Sequence, residues 1–353
     1  MTRAPLRVAV LGAGTVGREV VRALAERSDE LVSADGAPLE LIGVAVRDLP
    51  KARAAGVPAG LLTDAPAHLV ADPTTDVIVE LLGGDEPAHT LISAALGAGK
   101  AVVTANKHVL AHHGAELEAV ARRTGAPLRF EAAVGGGIPV LGPLAQDLAA
   151  NRVTAVRGIV NGTTNYILSA MTDEGRDYRD VLVAAQAAGY AEADPSGDVE
   201  GHDAVNKLVI LARLAFGVWL DPGEVRIVAV DGPGAGRPGI TGVGMGDISA
   251  ARARGEVVKL IASAERGDGD GEAIVATVLP TPVRADSALG RTGGVLNRIE
   301  IDAQPVGTVA FSGPGAGGPA TSSAVLGDLV AIAGELGSTW AGLPPAGSAA
   351  PAR

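Results

Sequence analysis

Residues 8–17 are Val8-Ala9-Val10-Leu11-Gly12-Ala13-Gly14-Thr15-Val16-Gly17, in which an apolar run leads into the pattern G-x-G-x-x-G. A helical pattern follows at once, so the glycines join a predicted strand to a predicted helix. In that context Gly12 permits the tight turn, Gly14 lets a pyrophosphate approach the backbone, and Gly17 lets the helix pack on the strand. The amides at the start of such a helix bind phosphate. The motif therefore predicts nucleotide binding, with a simple packing turn as the alternative.

Short apolar runs alternate with helical patterns through residues 6–150. The runs are rich in Val, Ile and Leu, which is typical of strands buried on both faces. This alternation predicts an α/β fold, a Rossmann-type doubly wound parallel sheet. The predicted strands are Arg7–Leu11, Leu41–Val46, Val77–Leu82, Ala101–Thr104 and Leu128–Glu131, and the predicted helices are Val16–Arg27, Pro87–Gly97 and Ala115–Arg123.

The pattern changes after Asn151, where strands and helices no longer alternate regularly. We predict a dinucleotide-binding domain over residues 1–150, completed by about 306–340, and an α+β domain over 151–305. The Pro/Ala/Gly/Ser tail, 342–353, is predicted to be disordered. The predicted strands here are Val153–Val160, Ile227–Val230, Ala273–Leu279 and Val309–Phe311, and the predicted helices are Thr164–Glu174, Asp177–Gly189, Asp203–Gly217 and Ser323–Glu335.

Composition excludes several classes of function. The chain has 353 residues, a net charge of −11 and no cysteine. An acidic chain without clusters of Lys and Arg is a poor partner for nucleic acid or an anionic membrane, and without cysteine there is no disulfide or thiolate catalysis. No apolar run reaches the ~20 residues that span a bilayer, so we expect a cytoplasmic protein. His108 and His112 have a metal-ligand spacing, but without a neighbouring catalytic glutamate we interpret them as helix-surface histidines.

The stretch 189–207 crowds acidic residues and one lysine into a loop that runs into an apolar helix. Asp203 and Lys207 are four residues apart and share a helix face. Carboxylates repel one another and cost free energy when buried, so the cluster predicts a site for a polar small molecule with an ammonium group. Lys207 is placed to hand a proton to an oxyanion. A solvated acidic loop is the alternative. The acids are Glu192, Asp194, Asp198, Glu200 and Asp203.

The end of the second predicted strand bears on the choice of dinucleotide. NAD enzymes place Asp or Glu there for the ribose hydroxyls, whereas arginine pairs with the 2′-phosphate of NADP. Here the strand ends in Arg47-Asp48, with Lys51 close by. We therefore predict a preference for NADP through Arg47, with NAD through Asp48 left open.

Three further segments follow predicted strands, whose carboxyl ends carry the ligands of open α/β sheets. Lys107 follows one strand and is expected to meet the nicotinamide or the substrate. The glycine run after Glu131 either turns its carbonyls toward a cation or forms a hinge between domains. The segment 161–165 joins a strand to a helix, where amides bind a carboxylate or Thr163 or Thr164 caps the helix.

These motifs together resemble the homoserine dehydrogenase family over about residues 7–335. The resemblance implies NAD(P)H-linked reduction of aspartate 4-semialdehyde to L-homoserine, in threonine and methionine biosynthesis. It also implies a homodimer or homotetramer paired through the sheet of the second domain, which is then the substrate-binding and dimerisation domain. The matching segments are Gly189-Tyr190-Ala191-Glu192 through Lys207, Thr104-Ala105-Asn106-Lys107, Asn161-Gly162-Thr163-Thr164-Asn165 and Gly313-Pro314-Gly315-Ala316-Gly317.

The resemblance implies roles for the residues of the proposed catalytic and substrate sites. Lys207 is the implied proton donor to the aldehyde oxygen, and Lys107 binds cofactor or shares the acid–base work. Asp203 orients Lys207. The implied substrate contacts are Glu192, which would hold the ammonium group, Asp198, Gly162 and Thr163.

The resemblance also implies ligands for a cofactor and an ion. Glu131, with the backbone carbonyls of Val134, Gly136 and Ile138, is similar to a sodium site of the family. The implied contacts with NADP, or with NAD, are Gly12, Gly14, Thr15, Val16, Gly17, Arg47, Thr104, Lys107 and Gly315.

Two features depart from the family pattern. Many bacterial members carry a C-terminal ACT regulatory domain, and the residues after Glu335 are too few for one, so feedback by threonine through such a domain is not expected. Extra residues at about 28–38 make the alignment that places Arg47 at the end of the second strand less certain.

Aspartate-semialdehyde dehydrogenase needs a cysteine nucleophile and is excluded. Another amino-acid dehydrogenase and a non-catalytic sensor of NADP(H) remain alternatives.

Overall fold

A computed structural model describes residues 3–31, 36–227, 236–267 and 273–347. The strands are β1 Leu6–Leu11, β2 Leu39–Ala45, β3 Leu62–Thr63, β4 Val77–Glu80, β5 Ala101–Thr104, β6 Leu128–Arg129, β7 Arg152–Ile159, β8 Arg226–Ile227, β9 Glu256–Arg266, β10 Ile274–Arg284, β11 Leu296–Gln304 and β12 Gly307–Pro314. The helices are α1 Gly17–Glu26, α2 Leu49–Ala54, α3 Pro66–Ala71, α4 Ala88–Gly97, α5 Lys107–Thr124, α6 Leu141–Ala145, α7 Gly162–Glu174, α8 Tyr178–Ala187, α9 Ser196–Val199, α10 His202–Phe216, α11 Met245–Ala253, α12 Ala288–Arg291 and α13 Gly318–Ala333.

The chain forms two compact units. The first unit comprises Met1–Gln146 and Ala316–Pro345, so the chain leaves it after α6 and returns to it for α13. The second unit comprises Asp147–Gly315 and Ala346–Arg353. Within the described ranges, no helix is both long and apolar enough to cross a membrane.

The first unit is built on a six-stranded parallel sheet in the order β3-β2-β1-β4-β5-β6. This order reverses direction between β1 and β4, which confirms the predicted doubly wound Rossmann-type sheet. Its central strand β1 is apolar from Val8 to Leu11 because both faces are covered there, and these four residues have no exposed surface. Val325 and Leu329 of α13 belong to the same buried cluster, so the returning helix completes this core.

The second unit is built on a six-stranded mixed sheet in the order β12-β11-β7-β9-β10-β8. Neighbouring strands are antiparallel except for the parallel pair of β8 and β10. Buried and half-buried residues alternate along β10 and β11, as expected where one face is covered more fully than the other. Helices α7, α10 and α11 pack against β9.

Several elements differ from the sequence predictions. Neither β9 nor β11 was predicted. The alternation in β11 includes charged residues, and β9 carries Lys259 inside an apolar run, so neither has a simple strand pattern. Helix α5 begins at Lys107 rather than Ala115, because Asn106 caps it and the helix continues through the buried Gly114.

Two predictions touch residues outside the described ranges. The predicted strand Ile227–Val230 is described only at Ile227, in the short β8. The predicted disordered tail, 342–353, is described as far as Gly347, which pairs with Val218. Arg122 donates to the carbonyls of Leu343 and Pro344 at 3.1 and 3.2 Å.

Candidate active site

The glycine loop of the first unit has the geometry that its motif predicts. Gly12 has a φ of 101°, in the left-handed region, and a side chain there would begin 2.7 Å from the carbonyl oxygen of Leu81. A side chain at Gly17 would begin 2.0 Å from the carbonyl oxygen of Gly12. Both positions therefore require glycine, Gly12 for the turn and Gly17 for the close packing of α1 on β1.

The first turn of α1 is open to a ligand. Its N-cap, Val16, has no side chain that caps the helix, and the amides of Arg18 and Glu19 already donate to the carbonyls of Gly14 and Val16, so the amides open to a ligand precede Arg18. At Gly14 a side chain would meet nothing within 4 Å, which shows that the backbone is accessible there. The adjoining cavity, of about 210 Å³, is lined by Gly14, Thr15, Val16, Gly17, Leu81, Gly83, Ala105 and Asn106.

A buried carboxylate, Glu80, supports this cavity from behind. It accepts a hydrogen bond from the Thr104 hydroxyl at 2.6 Å and from the Leu82 amide at 2.7 Å. Burial raises the pKa of Glu80, although both hydrogen bonds oppose the shift. Glu80 was not predicted as a site residue, because a single acid within the predicted strand Val77–Leu82 carries no motif of its own.

Thr104 was predicted to touch the cofactor, and the structure gives its side chain another task. It is completely buried, donates to Glu80, and accepts from the Asn106 amide at 3.0 Å. Asn106 in turn caps α5 and donates to the Gly84 carbonyl at 2.7 Å. These bonds tie the loops after β4 and β5 together, so Thr104 positions the cavity wall.

The first unit also contains the two basic residues that were predicted to contact cofactor. Arg47 is exposed, two residues beyond the end of β2. Its neighbour Asp48 caps α2 by accepting from the Lys51 amide at 2.9 Å. Lys107 is the half-buried first residue of α5, next to Asn106 in the cavity wall.

The carboxylate of Glu131 closes the glycine-rich loop that follows it. The amides of Val140, Leu141 and Gly142 donate to its two oxygens at 2.7, 2.8 and 2.7 Å, which caps the start of α6. A carboxylate offers about four acceptor positions, so these bonds occupy most of them. Glu131 therefore closes the loop through these bonds, and its predicted part in a cation site stays a prediction.

Within that loop, Gly135 and Gly136 have φ values of 75° and 57°. The Gly135 carbonyl accepts from the Ile138 amide at 2.9 Å. The loop thus turns tightly between Val134 and Ile138. Its backbone carbonyl oxygens are the ligands that this glycine-rich segment can offer to an ion.

The second unit contains a buried ion pair between Lys207 and Asp203. The ammonium group of Lys207 donates to Oδ2 of Asp203 and to the carbonyl of Val160, each at 2.7 Å. Both side chains are about one-tenth exposed. The four-residue spacing places both on one face of α10, as the sequence predicted, and Val160, directly after β7, supplies the carbonyl.

Asn161 joins this pair to the acidic loop. Its amide nitrogen donates to Asp198 at 2.7 Å and to Asp203 at 2.8 Å. Its amide oxygen accepts from the Thr164 amide at 2.9 Å, which caps α7. The prediction that Thr163 or Thr164 caps this helix was therefore wrong, since Asn161 is the cap, and its role as a bridge between two carboxylates was not predicted.

The other predicted substrate residues differ in whether they are hydrogen-bonded to this network. The Thr163 hydroxyl is 2.9 Å from Asp198 and 2.8 Å from the carbonyl of Tyr190. Gly162 is the first residue of α7. Glu192 is exposed on the loop after α8, where its carbonyl accepts from Gln186 at 3.0 Å. Gly315, a predicted cofactor contact, directly follows β12.

The two units offer complementary chemistry. The first unit presents backbone amides at a helix start, which bind phosphate. The second presents a buried ammonium group held by a carboxylate, which can stabilise and protonate a developing oxyanion. Half-buried acceptors around it, on Asp198 and Thr163, can hold the polar groups of a small molecule.

Comparison with known proteins identifies this combination. Residues 139–330 match the family model for homoserine dehydrogenase, and residues 12–131 match the model for the NAD binding domain of homoserine dehydrogenase. The homoserine dehydrogenase of Corynebacterium glutamicum is 45% identical over 349 residues, which cover 96% of this chain and 76% of that protein.

Solved structures are similar as well. A homoserine dehydrogenase from Thiobacillus denitrificans superposes with a TM-score of 0.89 at 36% identity, over 98% of this chain and 80% of that chain. A hyperthermophilic archaeal homoserine dehydrogenase in complex with NADPH superposes with a TM-score of 0.76 at 27% identity, over 94% of this chain and 98% of that chain.

Proposed function

The chain belongs to the homoserine dehydrogenase family, NAD(P)-dependent oxidoreductases that act on a CH–OH group, and on that premise we propose that it interconverts L-homoserine and L-aspartate 4-semialdehyde with NADP as its preferred cofactor. The observation that carries the proposal is the buried network of Lys207, Asp203, Asn161 and Asp198. In this network Lys207 is the proton donor and Asp203 holds its ammonium group. Asp198 provides polar atoms that could bind the amino acid.

In the proposed mechanism, Lys207 stabilises the aldehyde oxygen as negative charge grows on it and then protonates it. The nicotinamide cofactor, when bound, supplies the hydride for this reduction and accepts it in the reverse reaction. Asp203 and the Val160 carbonyl hold the Lys207 ammonium group in one place, which limits the reorganisation needed during the reaction. Lys107 is proposed as a further cation that binds cofactor or shares the acid–base work.

We propose that the acidic loop recognises the amino-acid end of the substrate. Glu192 would bind the ammonium group, since it is exposed on the loop that leads to α9. Asp198 and Thr163 would orient the substrate, and the amide of Gly162 at the start of α7 would face its carboxylate. The bond between Thr163 and Asp198 supports this role because it fixes the loop against α7.

A dinucleotide fits the first unit, since Gly12 and Gly17 shape the loop and Gly14 leaves the backbone open. Thr15 and Val16 would donate their amides to its phosphates, and Gly315 is a further proposed contact. The preference for NADP is supported by the exposed Arg47 and by the use of Asp48 as the cap of α2. NADPH is also the ligand named for the archaeal relative.

We further propose a sodium ion held by Glu131 together with the backbone carbonyls of Val134, Gly136 and Ile138. The tight turns at Gly135 and Gly136 support this arrangement. Activity compared in sodium and in potassium chloride at equal ionic strength tests it. A sodium-dependent increase that is lost in Glu131→Ala supports the site, and equal activity in both salts counts against it.

The family also suggests an oligomeric state and a metabolic pathway for this chain. We propose a homodimer, or a tetramer of such dimers, paired through the sheet of the second unit, and a cytoplasmic role in threonine and methionine biosynthesis. The less buried face of that sheet carries a charged cluster that pairs Arg157 with Glu300 and Asp302. Light scattering of the purified protein tests the assembly, and rescue of a bacterial strain that requires homoserine tests the pathway.

Growth of the reduced-nicotinamide absorbance band with L-homoserine tests the activity, with NADP⁺ and NAD⁺ in parallel. We expect homoserine-dependent reduction, faster with NADP⁺ at low concentration. Arg47→Ala should raise the KM for NADP⁺ and leave that for NAD⁺ unchanged, whereas Arg53→Ala, which removes an exposed arginine on the neighbouring α2, is the matched control. Binding of NADPH without reduction of either cofactor would assign the protein to the sensors or to another substrate.

A further inference from the structure

A histidine cluster lies on the first unit between α4 and α5, in addition to the proposed catalytic residues. His89 lies in the first turn of α4, and His113 and Glu116 lie three residues apart on α5. Residues with that spacing are neighbours on a helix surface. The two helices pack against each other, which brings the imidazole rings together as a stacked pair with centroids 3.9 Å apart.

The distances within this cluster suit a metal ion. Ligand atoms of His89, His113 and Glu116 all lie within 4.8 Å of one another. Nε2 of His89 and Oε2 of Glu116 are 3.5 Å apart. Bonds of about 2.0–2.1 Å in a tetrahedral zinc site separate neighbouring ligand atoms by roughly 3.3–3.4 Å, close to this value. The two rings are stacked at an interplanar angle of 16°, and a metal lies in the plane of each imidazole that binds it, so one ring must turn for both nitrogens to reach the same ion.

His89 provides a second, independent indication. Its Nε2 atom is buried and has no hydrogen-bond partner, although its acidic neighbour lies near. Buried polar atoms are almost always hydrogen-bonded, so an atom without a partner needs a physical explanation. A metal ion bound to this nitrogen supplies one.

The surroundings of His113 also suit a ligand. Its Nε2 lies 2.9 Å from Oδ1 of Asp85. If Nε2 donates its proton to this carboxylate, the lone pair of Nδ1 is available to bind a metal. Histidines that bind metals commonly donate their other ring nitrogen to a carboxylate, which orients the ring and raises its basicity.

We propose that His89, His113 and Glu116 bind a divalent transition-metal ion such as Zn²⁺, with Asp85 orienting His113. Two imidazole nitrogens and one carboxylate oxygen form a donor set that suits zinc rather than magnesium or calcium. The side chains are 20%, 27% and 58% exposed, so an ion can enter from solvent and water can complete its coordination. The site does not depend on the proposed dehydrogenase reaction.

Calorimetry with ZnCl₂ on tag-free protein, stripped of metal with chelator, tests the proposal. We expect one ion per chain, and a visible absorption band of tetrahedral Co²⁺ when cobalt replaces zinc. His89→Gln and His113→Gln should each weaken zinc binding by more than about 100-fold. Asp85→Asn should weaken it by about 10- to 100-fold, since it removes only the orienting carboxylate.

Two controls distinguish this site from surface histidines in general. His68→Gln removes an exposed histidine on α3, and His108→Gln with His112→Gln removes the pair singled out by sequence spacing, whose rings are 4.3 Å apart. Both controls should keep zinc affinity within about twofold. Homoserine oxidation and circular dichroism should be unchanged in every variant, which shows that each has folded.

Three outcomes overturn the proposal. The first is a wild-type protein that binds no zinc beyond what the His89→Gln and His113→Gln double variant binds. The second is equal affinity in the wild type and the single variants. The third is a loss of binding confined to the His108 and His112 control, which would place the ion on the other pair.

Discussion

Two lysines of the second unit are both buried, but their ammonium groups have different hydrogen-bond acceptors. Lys207 on α10 is 8% exposed and Lys259 on β9 is 3% exposed. Lys207 is held by the carboxylate of Asp203 and a backbone carbonyl. Lys259 donates to three neutral oxygens, on Asn165, Ser169 and Thr292, at 2.8–3.0 Å. Burial alone therefore does not assign a lysine to catalysis.

The charge on each lysine is stabilised in a different way. Burial lowers the pKa of Lys259 to about 8, and the charge of Asp173 opposes the shift only in part. Its three acceptors join β9 to α7 and to the end of α12, so its position indicates a structural role. Lys207 instead belongs to a network that continues through Asn161 to the half-buried Asp198, where a small molecule can reach.

The largest expected effect is on turnover in Lys207→Ala. General acid catalysis typically contributes 10²- to 10⁴-fold, so kcat should fall by about that factor, with the affinity for NADPH nearly unchanged. Lys207→Arg keeps the charge but is a poor proton donor and should be almost as slow. Steady-state kinetics and NADPH fluorescence titration measure both. Full turnover in Lys207→Ala would contradict a catalytic role for Lys207. A loss of kcat in Lys259→Met as large as that in Lys207→Ala would contradict a purely structural role for Lys259.

The next effect is expected at the bridging amide of Asn161. Asn161→Ser keeps a side chain that caps α7 but cannot bridge two carboxylates, and small displacements of catalytic groups cost up to about 100-fold. We expect kcat to fall by about 10- to 100-fold with little change in melting temperature. Asn161→Ala should lose similar activity and also about 1 kcal/mol of stability. An active Asn161→Ser would reduce this residue to a helix cap.

A smaller effect, on stability rather than rate, is expected in Lys259→Met. Methionine fills similar space but leaves the acceptors of Asn165, Ser169 and Thr292 without their donor. The free energy of unfolding should fall by about 1–3 kcal/mol, with kcat within about twofold of the wild type. Urea denaturation measures the first quantity and the homoserine assay the second. A loss of kcat without a loss of stability would assign chemistry to Lys259.

The smallest effect is the pH dependence that Lys259 contributes. Below pH 8 this lysine is protonated in both states, and between about 8 and its ordinary 10.5 the unfolded chain binds more protons. The free energy of unfolding therefore rises with pH in that window, relative to Lys259→Met, by about 2 kcal/mol between pH 8 and pH 10. Denaturation series at pH 7, 8, 9 and 10 measure it. A constant difference between the two proteins contradicts the lowered pKa.

Much of the first unit could be predicted from sequence because its information is local. The glycine spacing of residues 12–17 specifies a turn, a phosphate-binding helix start and a close contact within one short segment. Buried parallel strands are continuous apolar runs, so five of the six strands of the first sheet were found. The short β3, Leu62–Thr63, has too few residues to show a pattern.

The second unit was harder to predict because its sheet is antiparallel and mixed. Strands with one less-covered face tolerate charged residues, and β11 alternates Ile299 and Ile301 with Glu300 and Asp302. Lys259 lies in β9, which sequence analysis did not find, so this lysine was never considered as a buried cation. Its partner elements α7 and α12 come together only through the fold.

The doubly wound sheet, the glycine loop and the pairing of Asp203 with Lys207 could be predicted from local patterns, because strand runs, turn glycines and a four-residue helical spacing are short-range properties. Which distant polar groups meet depends on the folded chain. Asn161 reaches Asp203 across 42 positions, Glu80 reaches Thr104 across 24, and His113 reaches Asp85 across 28. Hydrogen bonding of buried polar groups depends on sheet order and helix packing, and no local pattern encodes either.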